Sequence, residues 1–212
     1  MTIPTNPRGA ATQLAPRRAS RAASGPAIPV LLALLVGCPV ARAADSLDAL
    51  LQAIGSRPHA HATFVEHQYM KILDRPLESS GELLFTPPDH LEKRTLAPRA
   101  ESLAVTDGQL RLDRGRHHLE IALSSYPQIA PLIEGIRATL AGDRATLERL
   151  FNIEFAGTDA GWSMQLTPRD AELSRLVRQL RLAGLGNELT RVETLRGDGD
   201  RSVMDITPAG DR

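Results

Sequence analysis

The stretch that decides the fold is PQIAPLIEGIRATLA, residues 127–141, a helical pattern in the middle of a chain whose other patterns are mostly those of strands. Its large apolar side chains lie along one face of the predicted helix: Ile129, Leu132, Ile133, Ile136 and Leu140. An apolar face of this kind must be buried against another element. Because strand patterns precede and follow it, we expect the helix to lie on the concave face of a curved sheet.

A second short helix follows directly. Gly142 interrupts the first pattern, and Asp143 is a suitable N-cap for a helix that carries Leu147, Leu150 and Phe151. The prolines and glycines of this region lower its intrinsic helix stability, which suits an element that shifts. We therefore predict that the two helices form a lid. The alternative is a pair of ordinary core helices over a sheet.

Strand patterns with a period of two lie on both sides of the helix pair. Those before it cover residues 62–71, 77–86, 90–96, 101–106, 109–113 and 116–123, and those after it cover residues 153–156, 162–167, 176–182, 188–195 and 201–207. Short turns such as Asp107-Gly108 join most of them, so consecutive strands should pair antiparallel in one sheet. A sheet of this size curls instead of staying flat.

An amphipathic segment opens the domain, with Asp45 and Ser46 as its predicted cap and Gly55 near its end. Its apolar positions have helical spacing: Leu47, Leu50, Leu51 and Ile54. The predicted fold class is therefore α+β. A curved antiparallel sheet forms an unclosed half-barrel, and the N-terminal helix and the lid helix pair cover its concave face.

Alternation along the strands predicts which apolar side chains face the concave side. These are Leu83, Phe85, Trp162, Met164, Leu166, Met204 and Ile206. Together with the apolar residues of the two lid helices, they form the predicted ligand-binding cavity. Methionine suits a variable apolar ligand because its side chain is flexible and polarisable. The alternative is that these side chains belong to an ordinary core.

The beginning of the chain has the parts of a secretory signal peptide. Four arginines between residues 8 and 21 precede an apolar run at residues 27–40, which leads into Ala41-Arg42-Ala43. The run is too short to span a bilayer, which requires about 20 residues. We therefore expect residues 1–43 to be a signal peptide and residues 44–208 to be one exported domain. Residues 35–38 also resemble a bacterial lipobox, in which Cys38 would be acylated and retained.

Composition excludes several classes of function. Without residues 1–43 the chain has 20 basic and 25 acidic residues, an acidic balance that argues against nucleic acid as a partner. Cys38 is the only cysteine, so the exported domain is expected to have no disulfide and no thiol chemistry. Its stability must come from packing.

Neither metal binding nor catalysis is indicated by the motifs. His59, His61 and His67 alternate near Glu66, but no cysteine or further carboxylate clusters with them, so we predict surface histidines and no metal site. The sequence also lacks the Gly-x-Ser-x-Gly motif of serine hydrolases. We expect a protein that is not an enzyme and needs no cofactor. A secreted hydrolase is the enzymatic alternative, and it would need a polar cluster of pKa-shifted groups in a cleft.

Several of these segments resemble the LolA family, the periplasmic carriers of outer-membrane lipoproteins. The resemblance rests on the opening helix followed by Phe64, on SGELLFTPPD at residues 80–89, on Pro98 and Asp107-Gly108, and on Phe151 with WSMQLTP at residues 162–168. It covers nearly all of the chain after residue 43. One position departs from the family pattern. The family has an arginine just before its Pro-Asn pair that helps to hold the lid closed, and here that position is Pro87.

The resemblance implies an unclosed barrel with a helical lid, and a carrier that shields acyl chains in the periplasm on their way towards the outer membrane. It implies an acylated lipid or lipoprotein as cargo, an inner-membrane donor and an outer-membrane acceptor as partners, and a monomer. Two other functions of the same fold remain open. One is a membrane-anchored acceptor like LolB, lipidated at Cys38, and the other is a periplasmic lipid-sensing regulatory domain.

Overall fold

The computed structural model of the protein describes residues 40–158 and 160–209, and eleven strands within them form a single antiparallel sheet. The chain begins with α1 (Val40–Gly55), β1 (Ala60–Tyr69), β2 (Leu77–Thr86), β3 (His90–Ala97), β4 (Glu101–Thr106), β5 (Gln109–Arg114) and β6 (His117–Ala122). A short 3-10 turn, Leu123–Ser125, leads into α2 (Ala130–Ala141) and α3 (Arg144–Leu150). The chain continues with β7 (Phe151–Thr158), β8 (Gly161–Pro168), α4 (Ala171–Leu176), β9 (Val177–Leu185), β10 (Glu188–Arg196) and β11 (Arg201–Pro208).

The sheet consists of two runs of consecutive strands that meet at β1 and β11. Its strand order is β6-β5-β4-β3-β2-β1-β11-β10-β9-β8-β7, and neighbouring strands are antiparallel. The edge strands β6 and β7 do not pair with each other within the described ranges, so the barrel stays unclosed. The α+β half-barrel that the sequence predicts is therefore confirmed.

α1 begins earlier than the sequence pattern predicts. It starts at Val40, so Asp45 and Ser46 lie inside the helix instead of preceding it. Its predicted apolar face is buried in the core and consists of Leu47, Leu50, Leu51 and Ile54. Residues 1–39, which hold Cys38 and most of the expected signal peptide, lie outside the described residues. In the described part of the chain, no helix is both long enough and apolar enough to cross a membrane.

Phe151 lies in a strand, although the sequence pattern assigned it to the second lid helix. It is the first residue of β7, because its backbone pairs with Pro168 at the end of β8. Strand pairing therefore ends α3 at Leu150, one residue before the apolar pattern ends. The predicted cap of α3 is confirmed, since the Asp143 side chain accepts a hydrogen bond from the Thr146 N–H at 3.0 Å.

The helices pack against one half of the sheet. α1 contacts α2, α2 contacts α3, both α1 and α3 contact β7, and α4 contacts β8 and β9. This region holds the largest fully buried side chains of the described residues: Leu51, Leu147, Phe151, Met164, Leu166, Leu173 and Leu180. In the described strands β1–β6, by contrast, the buried hydrophobic residues are Phe64, Phe85 and Val105.

α2 approaches this core through its small residues. Gly135 and Ala138 are buried, and a Cβ atom placed on Gly135 would lie 2.4 Å from Cε2 of the Phe151 ring. α2 contacts the core through this narrow face. Three of its larger apolar side chains therefore lie beside the contact and remain half-buried: Ile133, Ile136 and Leu140.

Gly81, within the SGELLFTPPD segment, coincides with an irregularity in the pairing of β2 and β3. The register shifts between Ser80 and Gly81, and a Cβ atom on Gly81 would lie 1.8 Å from the carbonyl oxygen of Arg94. Such irregularities bend a strand and increase its twist. A residue without a side chain is therefore required at this point of the curved sheet.

Candidate functional site

A cavity of about 300 Å³ lies between α2 and the sheet. This volume is at the lower end of the range for pockets that bind small molecules, about 300–1,000 Å³. Strands β1–β4 form one side of it and β8–β11 form the other. The wall is predominantly apolar and includes Leu83, Phe85, Leu91, Leu103, Val105, Leu166, Leu180, Leu182, Val192, Met204 and Ile206.

The structure brings part of the predicted site together at this cavity. The predicted residues that line it are Leu83, Phe85, Ile133, Ile136, Leu140, Leu166, Met204 and Ile206. The others lie elsewhere: Leu147, Phe151, Trp162 and Met164 are buried in the core, Leu132 and Leu150 pack against that core, and Ile129 precedes α2 as its N-cap residue. Periodicity determines the face on which a side chain lies, but it does not determine which element lies opposite. At the β7–β8 end of the sheet, the opposite elements are tightly packed helices, with α1 and α3 against β7 and α4 against β8.

Several wall residues were not predicted from the sequence, although the same alternation could have found them. Leu91 on β3 and Val105 on β4 stand in register with Phe85 on β2, so the three side chains share one row of the concave face. Leu182 and Val192 stand in register with each other on β9 and β10. β3 carries three charged residues between its apolar ones, and β4 has only six residues, so both patterns were weak.

One ion pair interrupts the apolar wall. Glu66 on β1 is 6% exposed, and its Oε2 accepts a hydrogen bond from Lys93 Nζ on β3 at 2.5 Å. The same ammonium group lies 4.8 Å from the centroid of the Phe64 ring, within cation–π distance. Both charged residues line the cavity. Thr194 and Ser202, which face each other across β10 and β11, also contribute hydroxyl groups to its lining.

Arg137 connects α2 to the turn between β2 and β3. Its guanidinium donates to the Glu134 carboxylate at 2.6 and 3.0 Å and to the Pro88 carbonyl oxygen at 3.3 Å. The hydrogen bonds from Arg137 hold the pKa of Glu134 below its ordinary value, and Glu134 in turn raises the pKa of Arg137.

This contact reaches the turn in which Pro87 replaces the arginine of the LolA pattern. Here the guanidinium comes from α2, and the turn supplies the acceptor, the Pro88 carbonyl oxygen. Arg137 was not among the residues predicted from the sequence. The signal that could have indicated it is the pairing of Glu134 and Arg137 at a spacing of three on an otherwise apolar helix.

The start of α3 is held to both α1 and its own next turn. Asp143 Oδ1 accepts from the Thr146 N–H at 3.0 Å, and this bond keeps the pKa of Asp143 below its ordinary value. Arg144 forms ion pairs with Asp48 on α1 and Glu148 on α3, both at 2.7 Å, and these partners raise the pKa of Arg144. α3 is therefore tied to α1, whereas α2 has one face in the core and another on the cavity.

The histidines considered as metal ligands have other surroundings. His67 faces Glu78 at 3.7 Å, Glu66 is bonded to Lys93, and His61 lies beside the cavity. Among residues 40–158 and 160–209, no group of three or more His, Cys, Asp or Glu side chains is arranged to hold a metal ion.

The half-barrel and its apolar cavity beneath a helix define a class of proteins that hold an apolar ligand by burial. A sequence profile described as "Outer membrane lipoprotein carrier protein LolA-like" matches residues 39–210, and the chain belongs to this LolA-like family, whose fold is associated with lipid or lipoprotein binding. The resemblance that the sequence segments indicate is thereby confirmed. No curated protein sequence matches the chain.

Solved structures that match the chain share little sequence with it. A LolA superfamily protein from Nitrosomonas europaea is 12% identical with a TM-score of 0.44, and the match covers 80% of this chain and 94% of that one. The MucA/MucB complex of Pseudomonas aeruginosa is 14% identical with a TM-score of 0.44, covering 78% and 56%. A DUF1329 family protein from Desulfovibrio piger is 12% identical with a TM-score of 0.46, covering 80% and 91%.

Proposed function

We propose that the protein is an exported carrier or chaperone that shields the acyl chains of a lipid or lipoprotein during transit through the periplasm towards the outer membrane. The observation that carries this proposal is the apolar cavity between α2 and the sheet. Each buried methylene group contributes about 0.8 kcal/mol, so holding an acyl chain requires an apolar wall and no catalytic residue. An inner-membrane donor and an outer-membrane acceptor are the partners that such a carrier needs.

The position of α2 supports release as well as binding. Ile133, Ile136 and Leu140 face the cavity, so an entering acyl chain replaces one apolar surface with another. The net affinity is then a difference between two similar burials and can stay moderate. The hydrogen bond between Arg137 and the Pro88 carbonyl oxygen contributes only about 0.5–1.5 kcal/mol, so it is a weak restraint on the cavity side of α2.

Filling the cavity tests this proposal. Leu103→Trp places a larger side chain in the wall, whereas Leu185→Trp places the same side chain at an exposed position outside the cavity. We expect the first variant to lose at least about tenfold in affinity for a fluorescent acyl probe, equivalent to about 1.4 kcal/mol, and the second to bind like the wild type. Both should keep their melting temperature within a few degrees. Equal binding by the wild type and Leu103→Trp would contradict acyl-chain burial in this cavity.

A membrane-anchored acceptor is the second candidate, because residues 35–38 resemble a lipobox. Mass spectrometry of the protein purified without detergent from its native periplasm distinguishes the two. A chain that starts at Ala44 and carries an acylated ligand supports the carrier. A diacylated Cys38 supports the acceptor. A soluble chain that stays empty and takes up no acyl probe would contradict both.

A further inference from the structure

The ion pair between Glu66 and Lys93 stands in the wall of a cavity that is otherwise suited to acyl chains. The Glu66 side chain is 8% exposed and that of Lys93 is 28% exposed, so the carboxylate is the more deeply buried partner. The ammonium group is held on two sides, by Glu66 Oε2 at 2.5 Å and by the Phe64 ring. The pair therefore has a defined geometry before any ligand arrives.

Stability alone does not account for this pair. Replacing a buried ion pair by well-packed apolar residues is often neutral or stabilising, because removing two charges from water is unfavourable. An apolar pair at these positions would also give acyl chains a more uniform wall. The charges are better explained by an interaction with the polar part of the ligand.

The other charged residues of the cavity wall are also neutralised. Arg57 pairs with Glu188 at 3.6 Å, and Glu92 pairs with Arg94 at 2.6 Å. With Glu66 and Lys93, every Lys, Arg, Asp and Glu that lines the cavity within the described residues has a partner of opposite charge. The cavity thus offers hydrogen-bonding groups without an excess of either charge.

Such a wall discriminates between polar groups by their charge. An anionic group could bind Lys93 only beside the buried Glu66 carboxylate, which places two negative charges next to one positive charge. A cationic group at Glu66 meets the equivalent repulsion from Lys93. An uncharged carbonyl can accept one of the remaining N–H donors of the Lys93 ammonium, because that group has three donors, and the ion pair stays intact.

We propose that the Glu66–Lys93 pair selects acylated ligands whose polar group is an uncharged ester or amide, and excludes free fatty acids. The proposal rests on the function proposed above and specifies its ligand class. The acyl chain lies along the apolar wall, and its ester or amide carbonyl lies against Lys93. Specificity of this kind arises from rejecting the wrong group as much as from binding the right one.

A competition assay with the full chain tests the selection. Myristic acid, its glycerol monoester and myristylamine have hydrocarbon chains of the same length and differ in charge at neutral pH. Each ligand is kept below its own critical micelle concentration and is tested for its ability to displace a fluorescent acyl probe from the wild type and from the variants. We expect the wild type to bind the monoester about tenfold or more tightly than either charged ligand.

Variants change the selection in opposite directions. Glu66→Gln leaves Lys93 without its partner, so affinity for myristic acid should rise about tenfold. Lys93→Gln should raise affinity for myristylamine by a similar factor. The double variant Glu66→Lys with Lys93→Glu exchanges the charges and should retain the preference for the monoester. Circular dichroism and thermal unfolding establish which variants fold, and the wild-type comparison does not depend on them.

The possible failures are distinguishable. If no acyl ligand displaces the probe from the wild type, the proposed function itself fails. If all three ligands bind the wild type equally, or if myristic acid binds best, the selection is overturned while acyl-chain burial stands. If the single variants fold but bind the three ligands in the same order of affinity as the wild type, the proposed selection is also overturned.

Discussion

Strands β7–β9 and strands β1–β6 belong to one sheet, but their concave faces have different surroundings. On β7–β9 most apolar side chains are buried in a core that they share with α1, α2 and α3, in which Leu147 and Phe151 are fully buried. On β1–β6 one row runs from Leu83 through Lys93, Leu103 and Leu112 to Leu119, which is 50% exposed at the edge strand. The first half provides stability, and the second supplies apolar surface that no helix covers closely.

This difference explains how a small domain can keep a binding cavity. A cavity lowers stability, because its lining loses packing contacts. Here the helices concentrate their contacts on β7–β9, and the cavity opens where α2 passes from that core to the facing strands. Three experiments test whether the two halves are as different as this comparison requires.

The largest effect is expected from Phe151→Ala in the packed half. The ring is fully buried beneath Gly135, so its removal should lower the free energy of unfolding by about 3–5 kcal/mol. The matched change in the other half is Leu119→Ala, which should lower it by no more than about 0.5 kcal/mol. Urea denaturation monitored by circular dichroism measures both. Similar losses in the two variants would mean that the halves share the stability evenly.

An intermediate effect is expected from Gly135→Ala. The new Cβ atom would lie 2.4 Å from Phe151 Cε2, so either the ring or α2 must move, at a cost of about 1–3 kcal/mol. Gly161→Ala is the control, since its Cβ atom would lie 3.8 Å from Leu185 Cδ2. Adding Phe151→Leu to Gly135→Ala should recover part of the loss. Additive losses in the double variant would contradict direct packing of the helix on this ring.

The smallest effect on stability is expected from Arg137→Gln, which removes the contact between α2 and the β2–β3 turn. Ion pairs that are open to solvent contribute about 0.2–1 kcal/mol, and loss of this half-buried pair should lower the free energy of unfolding by about 1 kcal/mol, while the acyl probe should enter faster. Arg175→Gln is the control, because Arg175 pairs with Glu172 on α4 at 2.7 Å. Stopped-flow binding measures the rates. An unchanged rate in Arg137→Gln would mean that this contact does not restrain α2.

The stability difference between the wild type and Arg137→Gln should depend on pH, and the direction of this dependence follows from the pKa of Glu134. The pKa of Glu134 is lowered from its ordinary value of 4.5, mainly by the hydrogen bond from Arg137. When folding lowers the pKa of a carboxyl group, the ionised group stabilises the folded state at pH values above its ordinary pKa. This stabilisation is lost as the pH falls through the lowered pKa. The difference in stability between the wild type and Arg137→Gln should therefore shrink as the pH falls below 4.5. A constant difference would contradict the role of Glu134.

The sequence predicted the strands, the helices and the class of fold because these depend on local periodicity. It predicted less of the cavity, for reasons that particular residues make plain. Met164 and Leu166 lie on the same face of β8 and both are buried in the core, yet only Leu166 also lines the cavity. On α2 the sequence emphasised the large apolar residues, whereas the helix contacts the core through Gly135 and Ala138.

What the sequence by itself determined is the α+β half-barrel and the apolar character of its concave face, because hydrophobic spacing specifies the face of each side chain. The tertiary structure alone decided where that face is closed by a helix and where it remains a cavity. It also decided that Glu66 meets Lys93 across an intervening strand, and that Arg137 reaches the turn beside Pro87. These contacts join residues far apart in the chain, and only the curvature of the sheet and the position of α2 bring them together.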